Sequence, residues 1–203
     1  PHPRLSPAAF AADLIPVTRD RQKVIALWNR ASVVRLLPYL AGRGIGEDLQ
    51  NDPLFADRIR TDQHRAALFP HFDEEGLCGF EIKNHGFTGF SPGGEKGLWC
   101  SHTAESDLLL IVAESAIDAI SHYALHKPAR ARYVSTGGSW SPKTEKLLLR
   151  ASQRLPALGE IVLAFDQDPT GREYLDTARQ WLDQFEDGPN QRGLASAIRA
   201  DHA

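Results

Sequence analysis

Two stretches decide the fold: DLLLIVAESAIDAIS (107–121) and EIVLAFDQDPTG (160–171). Each opens on a near-continuous apolar run, the pattern of a strand covered on both faces. Each then reaches an acid, Glu114 in the first and Asp166 with Asp168 in the second. The apolar run is too short to span a bilayer, so it reads as the core of a sheet.

Around these two stretches the same alternation continues. SAIDAISHYALH carries Ile117, Ile120 and Tyr123 at helical spacing, ARYVST (131–136) reads as a strand, and SPKTEKLLLRASQRL (141–155) reads as a helix. TGREYLDTARQWLDQF (170–185) is a further helix. Strands alternating with helices of this length indicate βαβ units and a parallel sheet. The second half therefore reads as a doubly wound α/β layer.

The texture upstream differs. From about 57 to 100, short apolar segments alternate with turn residues: AALFPHF, then Asp73–Gly76, LCGFEI, Asn84–Gly86, FTGF and Ser91–Gly94. This predicts a small antiparallel sheet with tight connections. The first forty or so residues read as helical, and Gly42-Arg43-Gly44 supplies a stop, because glycine takes left-handed dihedrals without a Cβ penalty.

The bulk numbers bound the function. A chain of 203 residues makes one compact domain or two small ones. A net charge of −3 means that any nucleic-acid contact must come from local positive charge. Cys78 and Cys100 are too few for a disulfide framework and lack metal-site spacing, which favours a reducing, cytoplasmic setting. No signal-peptide pattern opens the chain and no membrane role is expected. A chain that starts at Pro1 and holds no methionine reads as an excised fragment.

In open parallel sheets, ligands bind beyond the carboxyl ends of the strands. That rule selects Glu114, Thr136-Gly137-Gly138, and Asp166-Gln167-Asp168 as one rim. Carboxylates gathered there repel unless a cation lies among them, and hard oxygen ligands suit Mg²⁺ or Mn²⁺. Asp118 lies one helical turn after Glu114, either as a further ligand or as a solvated first-turn acid. Asp168 before Pro169-Thr170-Gly171 also has the pattern of a turn and helix cap. Gly171 allows close backbone approach and leaves N–H groups for phosphate.

These residues bring a family into view. IVAESAIDAIS (111–121) resembles the first TOPRIM motif, a strand ending in Glu with an Asp in the following helix. IVLAFDQDPTG (161–171) resembles the second, a strand followed by DxD and Gly. Within that superfamily the likeness is to bacterial-type primases and the primase-like TOPRIM proteins of plasmids and integrative elements. YLAGRGI (39–45), ALFPHFDEEGLCGFEIK (67–83), FSPGGEKGLW (90–99) and YVSTGGSWSP (133–142) are similar to primase segments in the same order. The match covers roughly residues 35–185.

The resemblance implies an α/β, TOPRIM-type parallel sheet flanked by helices over 104–203, truncated at its C-terminal end. Ahead of it stand a small antiparallel β-rich subdomain (46–103) and N-terminal helices (1–45). It implies Glu114 as general acid or base, and Asp166 and Asp168, with Asp118, as ligands of Mg²⁺ or Mn²⁺. Lys96, Arg58 and Arg60 are implied to face template or nucleotide, with Gly137, Gly138 and Gly171 lining the site. Lys96 stands out because its Gly-rich loop lets backbone approach phosphate. The function implied is Mg-dependent, primase-like nucleotidyl transfer on DNA for replication or transfer of a mobile element. Its partners would be a single-stranded DNA template, nucleoside triphosphates, and a helicase, relaxase or other replication protein. A TOPRIM nuclease and a non-catalytic binding module of a larger protein remain alternatives.

The sequence also departs from the pattern. Ser115 stands where the family has Gly, and Gln167 lies between the two aspartates. Primases carry further acidic ligands on a strand beyond the third helix, where only Asp187 and Asp201 are available here. No zinc-binding Cys/His cluster is present. Trp99 and Trp140 read either as base-stacking or as packing residues. His64, His71 and His85 lack metal-ligand spacing, and a structural role is expected for His71.

Overall fold

The computed structural model describes residues 18–138, 140–156, 158–166, 168–186 and 199–200. Helix α1 (Arg21–Arg30) starts at Asp20, whose side chain accepts from the Lys23 amide at 2.9 Å. The helical texture of the lead-in does not continue unbroken. Ala31 is extended, and Ser32 bridges antiparallel to Thr61 before two short helices, α2 (Pro38–Ala41) and α3 (Glu47–Gln50). Apolar Val33 and Leu36 are exposed on that extended strip. Their spacing looked helical, but nothing packs there to hold a helix.

Strands β1 (Arg60–Thr61), β2 (Ala67–Asp73), β3 (Gly76–Asn84) and β4 (Phe87–Phe90) form an antiparallel sheet in sequential order. Helix α1 packs on it: Val24 and Trp28 join Ala66, Leu68 and Phe80 in one apolar cluster. Strand β5 (Trp99–Cys100), although it closes the β-rich segment, joins the second sheet, antiparallel to β7.

That second sheet is the α/β layer expected from the two quoted stretches. Its strands are β5, β6 (Leu109–Ala113), β7 (Ala131–Ser135), β8 (Glu160–Ala164) and β9 (Arg199–Ala200), in the order β5-β7-β6-β8-β9. Strands β6 to β9 run parallel. Helices α4 (Ala116–His126), α5 (Pro142–Ser152) and α6 (Pro169–Glu186) make the connections. Side chains alternate along β6 as period two requires. Ile111 and Ala113 pack with α4 and with Leu40 and Phe55 from the segment ahead of β1. Leu110 and Val112 pack with Leu148 of α5 and Trp181 of α6. The double coverage explains why β6 is apolar throughout. Strand β9 occupies the place beyond the third helix where no strand was read; Asp187 and Asp201, the acids weighed there, lie outside the described residues.

The two sheets are clamped by charge. Asp73, at the end of β2, accepts from Arg21 of α1 at 2.7 Å and from Lys143 of α5 at 3.0 Å. Lys143 also reaches Glu95 at 3.0 Å, and Lys146 and Arg150 both reach Glu74. Helix α5 is thereby tied to the β2–β3 turn. No helix among the described residues is long and apolar enough to cross a membrane.

Candidate functional site

Parallel strands β6, β7 and β8 end together, with Ala113 in register with both Ser135 and Ala164. Each chain continues from that line into a loop, so Glu114, Thr136–Gly138 and Phe165–Asp168 share one rim. The loops are tied to one another. The Gly138 amide donates to the Glu114 carbonyl at 3.0 Å. A Cβ built on Gly171 would overlap the Asp166 carbonyl oxygen and stand 2.8 Å from Glu114 Oε1. Gly171 is therefore required by close approach of the first turn of α6 to both acids.

Electrostatics mark the same cluster. Burial pushes the Glu114 carboxyl above its ordinary range, and the charges of Asp166, Asp118 and Asp168 push it further. Its Oε1 is buried with no hydrogen-bond partner. Asp118 is raised by burial and by Asp166, although hydrogen bonds from Ser115 oppose this. Burial, and then the Glu114 charge, push the Tyr174 phenol up. A carboxyl raised by burial and by like charges holds its proton more readily than an ordinary glutamate, the property a general acid or base needs.

Two acids also serve the helices they precede. Asp168 Oδ1 accepts from the Gly171 amide at 2.8 Å, which is the cap read from Asp-Pro-Thr-Gly. Asp118 Oδ2 accepts from the Ser115 amide at 3.0 Å and from its hydroxyl at 2.7 Å, completing a capping box on α4. Ser115 has φ −128°, so the family's glycine is not needed there for backbone freedom, and the serine hydroxyl caps the helix instead. Capping uses one oxygen of each aspartate. Gln167 lies outside the described residues.

The donor set fits a hard divalent cation. It consists of carboxylate oxygens, with Asp166 and Asp168 exposed and Glu114 Oε1 buried and unpartnered. Among the described residues no three His, Cys, Asp or Glu side chains already converge as a cage. Mg²⁺ asks for none, since it keeps several waters and is held by one or two carboxylates plus phosphate.

The antiparallel sheet contributes the opposite charge. Lys96 Nζ donates to the Gly137 carbonyl at 2.7 Å, which brings the Gly-rich loop of the first sheet to the turn after β7. Beneath that turn lies a pair that sequence reading did not assemble. His71 is fully buried, its Nδ1 donates to the Gly97 carbonyl at 2.9 Å, and its Nε2 stands 3.4 Å from Glu81 Oε1. Burial pushes the Glu81 carboxyl up, but His71 and then Lys83 outweigh it and hold it below its ordinary range. A Cβ on Gly137 would overlap Glu81 Oε1 and lie 2.6 Å from His71 Cε1. Glu81 had a faint signal: it is the charged residue on the otherwise apolar, buried stretch of β3. Lys83, two residues on, lies 3.4 Å from Glu81 Oε2, and its charge also acts to lower Asp118.

Arg58 and Arg60 are not brought to this rim. The Arg60 guanidinium lies 4.7 Å over the Trp28 ring and bonds the Trp28 carbonyl and Asp57. Arg58 lies over Phe72 in a cavity it shares with Arg132 and Arg154. Both tryptophans pack: Trp99 is fully buried and stacks on Phe55, and Trp140 meets Trp181 edge-on at 6.2 Å and donates to Glu145.

Comparison with known proteins agrees with this architecture. A family described as Toprim-like matches residues 111–191, and a protein family of unknown function, DUF3991, matches residues 38–107. A search of curated proteins finds no match. Among solved structures, the primase fragment of the bacteriophage T7 primase-helicase protein superposes with a TM-score of 0.56 at 16% identity, covering 90% of this chain and 70% of that one. The bacteriophage T7 primase domains bound to lagging-strand DNA polymerase and an RNA/DNA hybrid give 0.48 at 16% identity, over 75% and 74% of the two chains. The RNA polymerase domain of Mycobacterium tuberculosis primase DnaG gives 0.36 at 16% identity, over 80% and 57%. The first of these shows a shared fold.

Proposed function

We propose, from the premise that the chain is a TOPRIM-domain protein of primase-like fold, that it carries out primase-like, Mg-dependent nucleotidyl transfer on DNA. The observation that carries the reading is the placement of Glu114, Asp166 and Asp168 just beyond the in-register ends of β6 and β8, with a buried Glu114 oxygen that has no hydrogen-bond partner. A single-stranded DNA template and nucleoside triphosphates are the substrates this implies. Replication or transfer of a mobile element such as a plasmid, alongside a helicase or relaxase, is the setting it implies.

Asp166 and Asp168 would hold Mg²⁺ or Mn²⁺, with Asp118 as a further oxygen at the rim. When bound, such an ion neutralises charge on a transferring phosphoryl group and lowers the pKa of a coordinated hydroxyl. The chain's own residues do the rest. Glu114 Oε1, with its carboxyl raised, takes up the proton that leaves the attacking hydroxyl. Lys96, anchored on Gly137, sets a positive charge at the edge of the acidic rim, where polyphosphate needs it. The amides at the start of α6, opened by Gly171, offer N–H groups to phosphate.

Primer synthesis from labelled nucleoside triphosphates on single-stranded template, with wild type and Asp166→Ala/Asp168→Ala, tests the reading. Metal-dependent product from wild type alone is expected. Nicking of plasmid DNA without primer synthesis would replace it with the nuclease reading. Identical Mn²⁺ titrations for the two proteins would leave only a binding module.

A further inference from the structure

At the far side of β7 from the acids, Arg58, Arg132 and Arg154 line a cavity of about 300 Å³ together with His102 and Phe72. No Asp or Glu is among its lining residues, in a chain that carries 26 acids against 23 lysines and arginines. Local positive charge of this kind is what an overall acidic protein needs wherever it meets an anion.

The three arginines are not equivalent. Arg132 is occupied: its Nε meets Asp107 Oδ2 at 3.2 Å and its two terminal nitrogens donate to the Ala104 and Arg154 carbonyls. Arg58 is not. Its guanidinium lies 4.8 Å over the Phe72 ring, its Nε is buried without a hydrogen-bond partner, and it makes no ion pair among the described residues. Stacking against Phe72 fixes the plane of the fork without neutralising it. Burial lowers its affinity for its proton, and the charges of Cys100 and Asp57 only partly offset this. Arg154 is exposed at the same cavity. A half-desolvated guanidinium without a carboxylate is costly to maintain. A planar fork facing open space matches the bidentate geometry of phosphate.

We propose that Arg58 and Arg154 form a phosphate-binding site separate from the acidic rim. The cavity is at the low end of ligand-pocket volumes, enough for a phosphate group and part of its sugar. Three residues of β7 separate Arg132 from Thr136 at the rim, a rise of about 13 Å along extended strand. The phosphate can belong to a nucleic-acid strand or to a free nucleotide, and the chemistry of capture is the same. The site does not depend on the metal reading.

Fluorescence anisotropy of a labelled single-stranded oligonucleotide, and separately of a labelled nucleoside triphosphate, tests it with Arg154→Glu, Arg58→Gln and the distant surface control Lys23→Glu. A tenfold or greater loss of strand affinity in Arg154→Glu, with the salt slope reduced by about one, assigns the site to a strand phosphate. The same loss for the triphosphate alone assigns it to a nucleotide. Equal affinities in wild type, control and Arg154→Glu, or no binding by wild type, overturn the proposal. Arg154 is exposed, so that variant carries the test even if Arg58→Gln folds poorly. Mn²⁺ titration of the same variants keeps the two readings apart, since it reads the acidic rim and not the arginine cavity.

Discussion

The amide of Gly138 donates to the carbonyl of Glu114 at 3.0 Å, so the turn after β7 and the acid that ends β6 are one mechanical unit. Gly137 and Gly138 both sit at φ +64°, but only Gly137 lies against another part of the molecule, the His71–Glu81 pair. Gly138→Ala is expected to cost about 1 kcal/mol, the penalty of left-handed backbone alone. Gly137→Ala should cost about 2–3 kcal/mol, because its Cβ must also displace a buried carboxylate. Equal losses in urea melts of the two variants would contradict the packing described.

Glu114 should be a stability liability at neutral pH. Its native carboxyl is raised, so the native state binds more protons than the unfolded state between the two pKa values. Stability then falls as pH rises out of the ordinary carboxylate range, and the penalty is full above the native value. Glu114→Gln is expected to stabilise by about 1 kcal/mol at pH 7, or about 2–4 °C in Tm. The gain should vanish under acid conditions. Thermal melts from pH 4 to 8 measure it, and a destabilised Glu114→Gln at pH 7 would contradict it.

Asp73 behaves in the opposite sense. Burial pushes its carboxyl up, but hydrogen bonds from Arg21 and Lys143 outweigh this and hold it below the ordinary range. Its contribution is present above the ordinary carboxylate pKa and is lost as pH falls through the lowered native value. Asp73→Asn should cost about 2 kcal/mol at pH 7, with a smaller difference from wild type at pH 3. Because the clamp joins α1, β2 and α5, amide exchange in α5 should quicken in the same variant.

Gly171→Ala separates helix propensity from close approach. Alanine favours a helix by about 1 kcal/mol over glycine, yet its Cβ would overlap the Asp166 carbonyl oxygen and crowd Glu114. The expected result is unchanged helicity by circular dichroism with Mn²⁺ affinity weakened by about tenfold, some 1.4 kcal/mol. Isothermal titration of wild type and variant with Mn²⁺ is the measurement. Full affinity would mean that the start of α6 does not shape the rim.

Much of this site was legible because strand order and strand-end chemistry are local. Apolar runs ending at Glu114 and Asp166 announced buried parallel strands, and an acid at the end of such a strand has only the rim to occupy. The Asp168 cap was equally readable from Asp-Pro-Thr-Gly. His71 and Glu81 were not assembled, because a buried pair formed across two antiparallel strands depends on register. Arg58 and Arg60 were grouped by nearness in sequence, yet their guanidinium groups part to different neighbours, Phe72 and Trp28.

The sequence by itself determined the α/β layer, the antiparallel sheet ahead of it and the acids on the rim, since period-two burial and turn chemistry are written residue by residue. Tertiary structure decided which charges meet. It seated Lys96 on Gly137, set the His71–Glu81 pair beneath that turn, broke the N-terminal helix at Ala31 and placed Arg58 in a cavity without carboxylates. Those outcomes depend on which surfaces pack together, and packing is a property of the whole chain.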